Sequence, residues 1–261
     1  MPAFTFCAGS ATNVFSMTEL TQTELTDKVL AALETVRKTI NTVDEAGVKE
    51  PSALPGWDRA HVIAHIDGFS RAATRQLDTA GAENRFEMYD GGMDGRHDEI
   101  ELTSMMRRDA LNERTTESLA ALANSISGIS HDEWMLPTGF RGSASVEDLF
   151  YATWRELVIH ASDLAKGYSV SNWEPEFCAH LFAALEPRVP TGSRYILQPH
   201  GAQRIILGEG EDATVLSGTA FDLAAWLAGR EPIGPVQASA GGDGSALPAL
   251  DPWNVKLKTQ N

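Results

Sequence analysis

Apolar residues recur at helical spacing along most of the first two thirds of the chain. Leu20, Leu25, Val29, Leu30, Leu33, Val36 and Ile40 line one face of a helix predicted over residues 18–47 and ending near Gly47. Pro51, Pro55 and Gly56 then break the pattern. Asp58 is placed to cap a second helix over 59–79, whose stripe contains Val62, Ile66, Phe69 and Ala73, with Asp67, Arg71 and Arg75 on the opposite side. Residues 81–98, rich in Gly, Asp and Arg, read as a long loop. The helical pattern returns over 99–127, with a break expected near Met105–Asp109, and stops at Gly128. Ser145 and Asp148 form a capping-box-like start to a fourth helix over 145–166. Val146, Leu149, Thr153, Leu157 and Leu164 point inward on it, and Asp148, Arg155 and Lys166 outward.

After residue 172 the period changes. A short helix is expected over 174–187, then three β-like runs, RYILQ (194–198), QRIILG (203–208) and TVLSG (214–218). A last helix covers 219–229, and the Gly/Pro/Ala-rich tail from Glu231 reads mostly as loop. The fold class is therefore mainly α: a four-helix bundle over 18–172 followed by a small α+β domain over 173–261. Residues 1–17 are expected to be a disordered extension.

Composition narrows the function classes. Hydrophobic residues make up 43% and charged residues 22% of the 261, which suits a globular protein. A formal net charge of −15 argues against nucleic acid or an anionic membrane surface as partner, since both require a basic footprint. A small anionic ligand would meet the same repulsion, so a site for one needs local positive charge. No apolar run is long enough to span a membrane, and the N-terminal segment lacks the pattern of a signal peptide. The two cysteines, Cys7 and Cys178, are not expected to pair, and a cytoplasmic setting is expected.

Three polar residues fall where apolar ones belong. His65 lies beside Phe69 within the second helix's stripe, whereas His61 lies at its edge. Glu156 and His160, four residues apart, sit inside the stripe of the fourth helix. A carboxylate there is costly unless compensated. Two readings meet that requirement. In the first, the histidines are ordinary hydrogen-bonded core residues and Glu156 pairs with an arginine. In the second, the three residues form a two-histidine, one-carboxylate metal set with positions left for water or substrate. The clusters His97-Asp98-Glu99 and His131-Asp132-Glu133 read as solvated surface, and Asp163, one turn from His160, as a residue able to orient it.

Several segments in order carry a family resemblance. LPGWDRAHVIAHIDGF (54–69), MYDGGMDGRHDEIE (88–101), WRELVIHASDL (154–164) and SGTAFDLAAWLAGR (217–230) resemble the mycothiol-dependent maleylpyruvate isomerases and their DinB-like relatives, over roughly residues 20–253. The resemblance implies a DinB-like four-helix bundle, a divalent metal (zinc being the expected ion) on His65, Glu156 and His160, and an isomerisation role for Arg230. Arg230 also has a simpler account, as a cation favoured at a helix C-terminus. The implied cosubstrate is the small thiol mycothiol, and the implied partner a small anionic electrophile. A monomer or small homo-oligomer is expected. The implied reaction is cis–trans isomerisation of maleylpyruvate by thiolate addition, bond rotation and elimination. The alternatives are a mycothiol S-transferase acting on other electrophiles and a non-catalytic binding or regulatory protein with a structural metal.

Overall fold

The computed structural model describes residues 20–211, 213–239 and 246–253. The chain divides into two compact units, the first ending at Trp173 and the second starting at Glu174. The first unit is helical: α1 (Gln22–Asn41), α2 (Arg59–Asp78), α3 (Gly92–Ser104), α4 (Arg108–Gly128) and α5 (Val146–Asp163). α1 packs on α4 and α5, and α2 packs on the same two helices, which closes a four-membered bundle, while α3 lies against α2.

Local chemistry sets the helix ends. Thr21 and Glu24 form a capping box at α1, Asp58 accepts from the His61 backbone N–H at α2, and Ser145 and Asp148 form a capping box at α5. α1 stops at Asn41, short of the expected Gly47, which lies instead in a following 3₁₀ turn. α5 stops at Asp163, before the expected 166, because Ala165 takes a left-handed conformation with φ 49°. The carbonyls freed there are capped from another helix. Arg59, in the first turn of α2, donates through Nε to Leu164 O at 2.7 Å and through Nη2 to Ala165 O at 3.3 Å.

Three expectations about this unit fail for related reasons. Residues 81–98 are not all loop, since α3 begins at Gly92 and carries Arg96 and Glu99. Asp67 does not face solvent: it is 0% exposed and receives hydrogen bonds from Arg71 and Arg114, while Glu99 pairs with the same two arginines. α2 is covered by α3, α4 and α5, so Asp67 on its polar side is interior and its charge is neutralised there, while Arg71 stays exposed. Arg155, expected outward on α5, is likewise buried. The break in the third helical pattern falls between Ser104 and Arg108, as predicted.

The second unit contains α6 (Pro175–Ala184), β1 (Arg194–Pro199), β2 (Ile205–Leu207), β3 (Ala213–Gly218), α7 (Ala220–Leu227) and β4 (Gln237–Ser239). The sheet order is β2-β1-β3-β4, with β1 and β3 parallel and both outer pairs antiparallel. Strand alternation buries Tyr195, Leu197, Leu207, Leu216 and Ala238, and α7 packs on β1, β3 and α6. β4 is the exception in a tail read mostly as loop: its three residues are too few to show a period in sequence, and pairing with β3 makes them a strand. Residues 1–17 and Cys7 lie outside the described residues, and Cys178 is buried.

Candidate metal centre

Two helices of the bundle bring the three singled-out polar residues together. α2 presents His65, 2% exposed, between Trp57 and Phe69, whose ring centres lie 6.0 and 6.5 Å from its own. α5 presents Glu156 and His160 on successive turns of one face. His65 Nε2 is 3.0 Å and His160 Nε2 3.3 Å from the same oxygen, Glu156 Oε2. The two imidazoles meet edge to face with centroids 4.3 Å apart. The Glu156 side chain keeps 36% of its surface accessible, so the cluster can be reached by a small molecule.

The electrostatics are those of a tightly coupled group. Burial lowers the His65 pKa to about 4, helped by the neighbouring His160 charge. Burial would raise Glu156, but hydrogen bonds from His160 and His65 outweigh it and hold the carboxyl well below its usual range. Burial would lower His160, yet Asp163 and Glu156 reverse that and raise it. Asp163 is fully buried, with Oδ2 2.9 Å from His160 Nδ1.

The donors fit a divalent ion. One donor atom from each residue lies within 4.8 Å of the others. Ligands of a tetrahedral zinc, at about 2.0–2.1 Å from the ion, are roughly 3.3 Å from one another, close to the 3.0 and 3.3 Å separations here. Two imidazoles and a carboxylate suit zinc and leave room in the coordination sphere.

His61 remains at the edge, as its position in sequence suggests. Its Nδ1 is 2.6 Å from Asp58 Oδ1. His97 and Asp98 are exposed on α3, and His131 and Asp132 are exposed in a 3₁₀ turn. Arg230 belongs to the second unit, just beyond α7, where Nη1 donates to Ala228 O at 3.0 Å and the guanidinium lies 5.9 Å from the Trp253 ring centre.

Sequence reasoning missed the basic residues around the cluster. Arg96 Nη2 is 2.9 Å from His65 Nδ1, and its guanidinium lies 5.6 Å from the centre of the Tyr89 ring. Burial, with the Glu156 charge, pushes the Tyr89 hydroxyl up to about 12. Burial lowers Arg155 to about 10, with Arg141 adding repulsion, and burial also lowers Arg141. A signal for Arg96 existed: it stands one turn before the buried Ile100, on the inward face of α3. Among the described residues, no helix is long and apolar enough to cross a membrane.

Comparison with known proteins agrees with both units. Residues 29–165 match the mycothiol maleylpyruvate isomerase N-terminal domain family, and residues 172–249 match the corresponding C-terminal domain family. A crystal structure of the mycothiol-dependent maleylpyruvate isomerase superposes with a TM-score of 0.80 at 24% identity, covering 91% of this chain and 99% of that one. A histidine-to-alanine variant of that isomerase superposes with a TM-score of 0.79 at the same identity and coverage. At this identity the likeness speaks to the fold. A search of curated proteins returns no sequence match.

Proposed function

This chain belongs to the mycothiol-dependent maleylpyruvate isomerase family, and from that premise we propose that it is a metal-dependent, mycothiol-dependent cis–trans isomerase of the maleylpyruvate type. The observation that carries the reading is the convergence of His65, Glu156 and His160 on one point that a solute can reach. The three would hold a divalent ion, zinc by its ligand preferences. Bound there, the ion supplies positive charge that lowers a thiol's pKa and makes thiolate available at neutral pH.

The residues of the chain have separable tasks. Glu156 supplies the anionic donor and is held ionised by its histidine neighbours. Asp163 orients the His160 ring, so that Nε2 faces the cluster. Trp57 and Phe69 flank His65 and limit water around it. In the proposed reaction, the thiolate sulfur forms a C–S bond to an alkene carbon of the substrate, and the π electrons move into the conjugated carbonyl as an enolate. The former double bond is then single and rotates. Collapse of the enolate re-forms the alkene in the trans configuration, breaks the C–S bond and regenerates the thiolate. Arg230 keeps the role that the family motif implies, a cation for a substrate carboxylate or the enolate, and rests on that motif alone.

The test is zinc-loaded protein incubated with mycothiol and maleylpyruvate, with the trans product followed over time. Fumarylpyruvate formed with thiol regenerated is the expected result. A stable mycothiol conjugate would make the protein an S-transferase, and a metal with no exchangeable coordination position would make it a binding or regulatory protein. Full activity and normal zinc content in His65→Ala would end the assignment of the metal centre.

A further inference from the structure

The contact between Arg96 and His65 carries an implication beyond the donor cluster. A guanidinium can only donate, so Arg96 Nη2 at 2.9 Å makes His65 Nδ1 an acceptor and leaves the ring proton on Nε2. An ion on Nε2 requires the other tautomer, with the proton on Nδ1. Two donors cannot share that contact. An ion seated there would therefore displace Arg96 from His65 and leave a partly buried cation beside the cluster in need of an acceptor.

Several other arginines of the helical unit have one already. Arg71 and Arg114 pair with Asp67 and Glu99, Arg75 with Asp90 and Arg59 with Glu50. Among the described residues, no carboxylate stands within 4.0 Å of the Arg96 guanidinium. Its contacts are the His65 ring nitrogen and Tyr89, which holds it from the side. In a chain of net charge −15, a cation with no carboxylate in ion-pair contact, next to an accessible centre, is suited to an anion from outside. Arginine also matches the planar, two-oxygen geometry of a carboxylate better than lysine does.

We propose that Arg96 is a specificity-determining residue that binds a carboxylate of the electrophile, released for that task when the ion occupies the centre. The assignment rests on the metal centre proposed above and adds the α3 residue that selects the electrophile by its carboxylate.

The experiment uses the full chain loaded with zinc, without thiol, and titrates maleate as a non-reacting cis-dicarboxylate by calorimetry. Native protein, Arg96→Met and Arg96→Lys are compared, with zinc content and thermal midpoint recorded for each. The expected result is maleate binding weakened about tenfold or more in Arg96→Met and less in Arg96→Lys. Dimethyl maleate, which lacks the charges, should not distinguish the three proteins. Zinc should bind Arg96→Met at least as tightly as native protein, because no guanidinium then competes for the His65 tautomer. Unchanged maleate affinity in a folded, zinc-loaded Arg96→Met would overturn the proposal. Loss of zinc from that variant would overturn it as well, since Arg96 would then support the ligand set. If native protein takes up no zinc, the metal centre itself fails. That outcome overturns the release of Arg96 with it, whereas unchanged maleate affinity in zinc-loaded protein overturns the Arg96 assignment alone.

Discussion

The Arg59 guanidinium donates to the carbonyl oxygen of Leu164 at 2.7 Å, joining the first turn of α2 to the end of α5. These are the two helices that carry His65 on one side and Glu156 and His160 on the other. The distance between the donors is thus set partly by a hydrogen bond outside the cluster. Arg59 also donates to Gly47 O at 2.9 Å and pairs with Glu50. Arg59→Met leaves the Leu164 and Gly47 carbonyls without this donor, and should cost roughly 2–4 kcal/mol in urea denaturation. Arg59→Lys should recover little, because one ammonium cannot serve acceptors spread around the guanidinium plane. A loss under half a kcal/mol in Arg59→Met would show the tie to be incidental.

Asp163 acts on the centre through His160. Asp163→Asn keeps the shape and removes the charge that raises the imidazole pKa. NMR titration should show the His160 pKa falling in the variant. Zinc affinity, read by competition with a chromophoric chelator, should drop about 10–100-fold with the fold retained. Equal affinities would leave Asp163 as a core residue only.

The pH dependence of stability has a definite sign. The folded His65 pKa, about 4, lies below the ordinary histidine value of 6.5, so the unfolded chain binds more protons between those pH values and stability falls as pH drops through them. His160 is raised, so its contribution is already complete below 6.5 and does not change in that window. At about 1.4 kcal/mol per unit, and with the unfolded histidine half protonated at pH 6.5, His65 should account for a loss of roughly 1–2 kcal/mol between pH 6.5 and pH 5. Urea denaturation with chelator present should show that loss in native protein and a clearly smaller one in His65→Leu. Equal slopes would contradict the assignment.

Gly95 permits the turn that sets Arg96 in place. A Cβ there would run into the Asp90 carbonyl oxygen, at the turn that also holds Tyr89. Gly95→Ala should destabilise the protein by roughly 1–3 kcal/mol, and hydrogen exchange should localise the loosening to the start of α3. Exchange unchanged around residues 89–96 would show that the turn absorbs the methyl group.

The sequence by itself determined the helices with a clear 3.6-residue repeat, their caps at Asp58 and Ser145, and the inward aim of His65, Glu156 and His160. Each depends on neighbours within about one turn along the chain, and local spacing records that. Only the tertiary structure decided which faces were interior. Asp67 and Arg155 look solvent-facing on single amphipathic helices, and are buried because other elements pack over them. β4 becomes a strand only by pairing with β3, and Arg96 meets His65 only because α3 lies along α2. The 3.0 and 3.3 Å separations at Glu156 come from helices whose donors are 91 residues apart in the chain for His65 and four for His160. Periodicity says where a side chain points on its own helix; packing decides what it meets.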